Sequence, residues 1–405
     1  MLKKMKFIIP ALLIILILAA CSRSQEDNKA GINEPDNSNP AIDKEEAGQE
    51  KDDDQDSQDE EDNHDEQDDQ DGQDEDDKQD GQVEQVKPFI SVDKIQEIDV
   101  IEISDWLDEQ NIIVTMENKE LEKMSLLERS DRYSRGLYLY DVETKEAKPL
   151  SVRENMFLGG AKLSADKNHL LYYEYSIGDN AYYVMNMEDE DKEKDIKDKA
   201  LGLAITAKWT DDNDIVGVSY AGGAYRTDTD WKLIPAYDLQ DEQLYTLVKS
   251  KSMLYYITIE ENMDMYILNL TTNDKKKLDI KNPVEIIPSP DGEKLLIGQS
   301  TETDTRLHII DRTGEILKTL AQGVEISGES WSPDGRMIAY QLSTVEEGAE
   351  SKGLFVYDLS SEESIKIADN ISTAKTVWSP SGDKIALTQY SESGSIKPFI
   401  IYLKK

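Results

Sequence analysis

One cysteine and three histidines stand among 405 residues. A single cysteine rules out an intramolecular disulfide, so no covalent cross-link holds the fold. His64, His169 and His308 are far apart and have no ligand spacing between them, which argues against an imidazole–thiolate metal centre. No Gly-x-Ser-x-Gly elbow, Walker loop or Gly-x-Gly-x-x-Gly turn occurs, so the usual nucleophile and nucleotide cradles are missing. Positive charge is scarce as well: 45 Lys and Arg stand against 85 Asp and Glu, a net charge of −40. Phosphate contacts need a basic surface, so a nucleic-acid partner is excluded.

A long apolar run occurs only at the start. Lys3, Lys4 and Lys6 precede Phe7 to Leu18, which is interrupted only by Pro10. The run is too short and too promptly ended for a spanning helix and reads as a secretory signal. Leu18-Ala19-Ala20-Cys21 closes it and resembles a bacterial lipobox. That resemblance implies cleavage before Cys21 and a lipid-modified N-terminus, which anchors a chain without spanning the bilayer. The expected place is the outer face of the cytoplasmic membrane, extracellular in a Gram-positive envelope and periplasm-facing otherwise. The plain alternative is an ordinary signal peptide with a chance cysteine.

Residues 22–86 change character. Between Glu26 and Glu84 there are 27 Asp or Glu and 4 Lys, a net of −23, with few large apolar residues. Such a segment cannot bury enough apolar surface to offset its ordering entropy, and a disordered acidic tether is expected. A neutral flexible coil of that length spans roughly 40 Å root-mean-square, and like charges extend it. Its assigned role is reach, holding the folded part off the membrane. Weak calcium collection by its carboxylates is the rival role, although no EF-hand spacing is present.

Residues 87–405 carry the fold and are organised by one signature. Trp331-Ser332-Pro333-Asp334-Gly335 is followed by Met337-Ile338-Ala339-Tyr340. It returns as Ser289-Pro290-Asp291-Gly292 and as Trp378-Ser379-Pro380-Ser381-Gly382, with prolines 43 and 47 residues apart. Proline sets φ for the turn, Asp bonds the local backbone, and glycine relieves the exit. Weaker copies are Trp106-Leu107-Asp108, Leu163-Ser164-Ala165-Asp166 and Trp209-Thr210-Asp211-Asp212. Each is followed by an apolar strand and then by a second strand ending in Asp or Asn, such as Leu354 to Asp358. Four short strands in about 45 residues is the pattern of a propeller blade. Units near 106, 163, 209, 250, 290, 333 and 380 give an all-β fold, a single β-propeller of seven blades. Six is the alternative, because the innermost strand of the unit near 250 is hard to find. The last unit ends at 398–403 with nothing left for a fourth strand, so Ile95 to Ile101 is expected to pair there and close the ring.

These turns and tryptophans look like the WD40-like repeats of TolB-type bacterial propellers, well over 280–400 and poorly over 100–250. The resemblance implies a β-propeller with an extracytoplasmic binding role. It does not imply the Tol system, since proteins of that type carry a separate N-terminal α/β domain where this chain has its tether.

The most suggestive binding stretch runs from Tyr220 to Trp231. Gly222 and Gly223 permit an unusual backbone, and Tyr225, Arg226, Asp228, Asp230 and Trp231 supply interface chemistry. The bland alternative is a loop whose aromatics fold back on the blade. Leu121, Met124 and Leu127 fall at helical spacing, so a short helix is expected within 118–135, and 346–352 reads as a polar loop. No catalytic residue, metal or cofactor is expected. The leading reading is a lipid-anchored, non-enzymatic module that binds a protein or an envelope polymer. The alternatives are a propeller enzyme acting on an envelope glycan or lactone, and a solute-sensing subunit beside a membrane complex.

Overall fold

The computed structural model describes residues 89–404 except 125–130, 176–179, 188–198, 202–203, 221, 229, 260–262 and 392–393. The expected leader (1–21) and tether (22–86) therefore lie outside the described residues. Within those residues are 28 strands and no helix, arranged as seven four-stranded antiparallel sheets.

Each sheet is one blade. The inner strands of blades 1 to 7 are Glu102–Trp106, Leu158–Leu163, Ala204–Trp209, Leu244–Ser250, Pro283–Pro288, Glu325–Trp331 and Ala374–Trp378. Seven apolar clusters fill the seven gaps between neighbouring blades. One joins blades 7 and 1, where Ile103, Trp106 and Ile112 meet Val377, Ala386 and Ile400. This cluster closes the ring and decides for seven blades over six.

The last blade is completed from the other end of the chain. Ser91–Glu97 pairs antiparallel with Ile396–Lys404, for example Ile95 with Ile401 and Glu97 with Phe399. The pairing strand begins and ends four residues earlier than expected from sequence. Ile90 (1 % exposed) and Ile98 (4 %) bracket it, and each is anchored in a different core. Residues 98–101 become the link into blade 1.

Four tryptophans bolt blade to blade. Each ends an inner strand and donates its indole N–H to a carbonyl on the inner strand of the preceding blade. Trp106 reaches Val377 O (3.1 Å), Trp209 reaches Lys162 O (2.8 Å), Trp331 reaches Ile287 O (3.1 Å) and Trp378 reaches Ser330 O (3.3 Å). Blades 2, 4 and 5 end the same strand in Leu163, Ser250 and Pro288. Blade 4 lacks both the tryptophan and the turn motif, which is why its inner strand is faint in sequence.

The repeated turn is a buried hydroxyl stitch. Ser332 Oγ donates to Asp334 (2.6 Å) and accepts the Met337 N–H (2.8 Å), while Ser332 itself is wholly buried. Ser289 and Ser164 repeat it with Asp291 and Asp166, both at 2.6 Å. The serine bond holds both carboxyls below their usual range. The left-handed position is glycine in blades 5 to 7, with φ near 70°, and Lys167 and Asn213 in blades 2 and 3.

Antiparallel connection gives the disc two faces. The turn face carries these stitches. The hairpin face carries the links between second and third strands and the links between blades. The helix expected within 118–135 is not formed in its described part. Lys123 bridges Tyr133 in antiparallel fashion and Met124 is buried, while Leu127 lies outside the described residues. The polar loop expected at 346–352 is a strand extension, with Glu346 paired to Ala349 through a tight turn at Glu347 (φ 51°) and Gly348 (φ 81°).

Candidate functional site

The residues proposed from sequence for one binding loop are separated by the fold. Ala224-Tyr225-Arg226-Thr227 is the third strand of blade 3. Tyr225 is a core residue, 2 % exposed, and its hydroxyl donates to Thr206 O. Burial pushes that phenol far above its usual range. Gly217, directly across, has no room for a Cβ, which would stand 1.9 Å from Thr206 O and 2.5 Å from the Tyr225 hydroxyl. Arg226 points outward from the same strand. Asp228 accepts the N–H groups of Asp230 (2.9 Å) and Lys232 (2.8 Å), shaping the next turn. Trp231 (φ 59°) packs edge-on to Trp209 (5.6 Å) and over His169 (5.0 Å). Thus Tyr220, Gly222 and Gly223 sit on the hairpin face and Asp228, Asp230, Trp231 and Lys232 on the turn face, with a strand between them. Cys21 lies outside the described residues.

His308 is structural. Its ring nitrogens meet Thr319 Oγ1 and Gln299 Oε1, each at 3.0 Å, and burial lowers its pKa.

The central channel gathers chemistry from six of the seven blades. Glu102 and Lys375 pair from blades 1 and 7, Lys208 and Glu285 pair from blades 3 and 5, and Lys162 and Glu329 line one cavity from blades 2 and 6. This cavity, of about 580 Å³ and lined by Lys162, Glu285, Glu329 and Lys375, draws on blades 2, 5, 6 and 7, which can meet only on the axis. Its mouth on the turn face is ringed by Pro290, Pro333, Trp331 and Trp378.

Most of these charges are held by neighbours. Lys375 pairs with Glu102 at 2.5 Å and Lys208 with Glu285 at 3.5 Å. Asp105 accepts the Leu163 N–H at 3.0 Å, and Glu325 accepts from Thr373 Oγ1. Enclosure by protein opposes the charge on Lys375, and Glu102 outweighs it, so its pKa is raised. On Lys162 the same enclosure wins over Asp105, and its pKa is lowered. Lys162 still exposes much of its surface, and it lines the channel cavity.

Glu329 differs. Enclosure first, then the nearby carboxylates of Glu285 and Glu325, push its carboxyl up to about 7. It is half-buried and lines the channel cavity. Sequence does carry a signal for the charged members of this set: each stands one to four places before the end of its inner strand, as in Lys162-Leu163 and Lys208-Trp209.

A larger cleft, about 800 Å³, opens on the rim at the seam of blades 7 and 1. Its polar groups serve closure. Lys384 pairs with Glu109 (2.5 Å), Gln96 Nε2 donates to Val142 O (3.1 Å), and the Tyr402 hydroxyl donates to Gln96 Oε1 (3.1 Å). Among the described residues no three His, Cys, Asp or Glu side chains stand close enough to hold a metal ion. None of these residues forms a helix long and apolar enough to cross a membrane.

No protein-family model matches the chain, and no curated protein matches it. Solved structures do. TolB from Acinetobacter baumannii is 12 % identical over 72 % of this chain and 63 % of its own, with a TM-score of 0.43, so this chain spans less than two thirds of that protein. Oligogalacturonate lyase from Vibrio parahaemolyticus is 12 % identical over 76 % of this chain and 90 % of its own, TM-score 0.55. An oligogalacturonate lyase in complex with manganese is 13 % identical over 78 % and 91 %, TM-score 0.53. At such identity the lyase likeness carries the fold and nothing finer: this chain is a seven-bladed β-propeller.

Proposed function

We propose that the chain is a membrane-tethered propeller that binds another macromolecule of the cell envelope and does not turn it over. The observation that carries this reading is the state of the channel. Hydrolysis of a glycan by the usual acid–base pair needs two carboxyl groups free to act. Here Glu102 and Glu285 are held by lysines, and Asp105 and Glu325 by hydrogen bonds. What remains is a rigid disc with two loop-bearing faces, suited to presenting a surface. Cys21 supplies the anchor and residues 22–86 the reach.

A second reading rests on Glu329. A carboxyl poised near 7, with Glu285 and Glu325 beside it, suits general acid or base work. It would make the channel an active site for an envelope glycan, in the manner that the printed names of the lyases suggest for those proteins.

One preparation tests both. The full chain is expected to sediment with membranes, and Cys21→Ala to move to the soluble or secreted fraction and lose incorporation of labelled palmitate. The purified proteins are expected to leave a panel of envelope glycans, pectic oligosaccharides and lactones intact. Turnover that Glu329→Gln abolishes would replace the first reading with the second. A Cys21→Ala protein that still sediments would remove the anchor.

A further inference from the structure

The two faces of the disc are unlike. Eight large apolar side chains are exposed among the described residues. Ile95, Ile316 and Leu317 lie on outer strands at the rim, and the other five lie on the hairpin face: Ile205, Tyr220, Ile259, Val324 and Val345.

Backbone pairing places them along two strips. Ala204 pairs with Ser219, which sets Ile205 beside the hairpin that begins at Tyr220. Gly223 of that hairpin abuts the link to blade 4 so closely that a Cβ would come within 2.4 Å of the Gln240 Cα. The same link ends at Gln243, whose carbonyl accepts the Ile259 N–H at 2.8 Å. On blade 6, the Val324 N–H donates to Ser343 O at 2.8 Å, two residues before Val345.

Charge surrounds both strips. Asp238, Asp241, Asp279, Glu302, Glu346 and Glu347 are exposed on this face, with no ion pair among the described residues. Lys281 is the exposed cation in the same set of links. Ion pairs occur on both faces, Lys251 with Glu293 (3.0 Å) and Lys384 with Glu109 (2.5 Å) on the turn face, Lys277 with Asp264 and Arg306 with Asp304 (3.1 Å) on the hairpin face, and the six carboxylates above lie outside them.

Exposed apolar strips are uncommon on a soluble surface without a use. Unneutralised carboxylates around them select the occupant. A second copy would bring the same acidic face and be repelled in a two-fold contact. An anionic lipid surface would be repelled likewise. A protein surface with lysines and arginines around apolar side chains is attracted and covers the strips.

We infer that the hairpin face over blades 3, 4 and 6 docks a protein partner whose contact surface is basic around an apolar centre. This rests on the binding reading above and adds the face and the chemistry of the partner. Photo-reactive residues placed singly at Ile259, Val345, Thr313 and Ser361 of the full chain, in the cells that make it, test it. The first two lie on the hairpin face and the others on the turn face. Ile259 and Val345 are expected to capture one protein, with the linked residues in a basic patch. The purified partner is expected to bind at least tenfold more weakly to Asp238→Lys/Asp241→Lys or Glu346→Lys/Glu347→Lys, and more weakly as salt rises from about 50 to about 300 mM. Glu315→Lys on the other side should leave binding unchanged. Protein adducts from Thr313 or Ser361 alone would overturn this inference and leave the binding reading standing. Adducts from Ile259 to lipid, to a second copy or to an acidic surface would overturn it as well. Silence from all four positions would count against both.

Discussion

Deleting residues 89–98 is expected to leave a chain that aggregates or melts at least 15 °C below the parent. The deletion removes the fourth strand of blade 7, so Ile396–Lys404 becomes a long open edge. It also removes Ile90 and Ile98, each nearly fully buried in a separate inter-blade core. Losing a buried isoleucine side chain costs about 2–5 kcal/mol, so the pair rivals the whole stability of a typical domain, about 5–15 kcal/mol. Deleting 22–86 in parallel should leave the melting temperature where it was, because that segment offers almost no large apolar side chains to a core. Calorimetry and gel filtration of the two deletions read the contrast. Equal melting temperatures would mean that the ring is not closed by its N-terminal strand.

Trp106→Ala carries the second large effect. Trp106 is 1 % exposed, sits in the cluster that joins blades 7 and 1, and donates its indole N–H to Val377 O. Truncating a buried tryptophan costs about 3–5 kcal/mol. At about 2–4 °C per kcal/mol for a domain of moderate size, the melting temperature should fall by roughly 6–20 °C. Trp106→Phe keeps most of the apolar contact but leaves the Val377 carbonyl without its donor, a loss of about 1–3 kcal/mol. The order Ala below Phe below parent separates packing from the hydrogen bond. Trp209→Phe, at a partly exposed site with the same kind of bond, should lose less than Trp106→Phe. Equal losses at the two sites would contradict the ranking by burial.

The fold was legible where a blade keeps both the tryptophan and the stitched turn. Trp331-Ser332-Pro333-Asp334-Gly335 states its own geometry, since each residue type is the one its backbone or bonding position needs. Blade 4 was faint because Leu244–Ser250 ends in a short turn through Lys251 (φ 52°), without proline or glycine. The described part of the stretch expected as a helix, Leu121 to Met124, shows how period misleads: Met124 is buried beside an antiparallel bridge at Lys123 and not on a helix.

The site was less legible for a different reason. Tyr225 and Trp231 look like contact residues because aromatics beside glycines often are, but Tyr225 fills space that Gly217 vacates directly across on the neighbouring strand. Lys162, Glu285 and Glu329 read as the wet side of half-buried strands. Only ring closure shows that this water is the channel. The apolar strip over blades 3 and 4 needs the packing of one blade on the next, because Tyr220 and Ile259 come from neighbouring blades.

The measurement that bears most directly on the closed ring is a disulfide across its seam. Lys94 and Tyr402 are cross-strand partners, with the ammonium 3.9 Å above the ring. Paired positions in an antiparallel ladder lie about 4.5–5.5 Å apart at Cα, within the reach of a disulfide. Lys94→Cys/Tyr402→Cys in a Cys21→Ala background should oxidise within one chain, giving a single linked pair of tryptic peptides by mass spectrometry and a raised melting temperature. Two free thiols, or linkage only between chains, would contradict a seven-bladed ring closed by Ser91–Glu97.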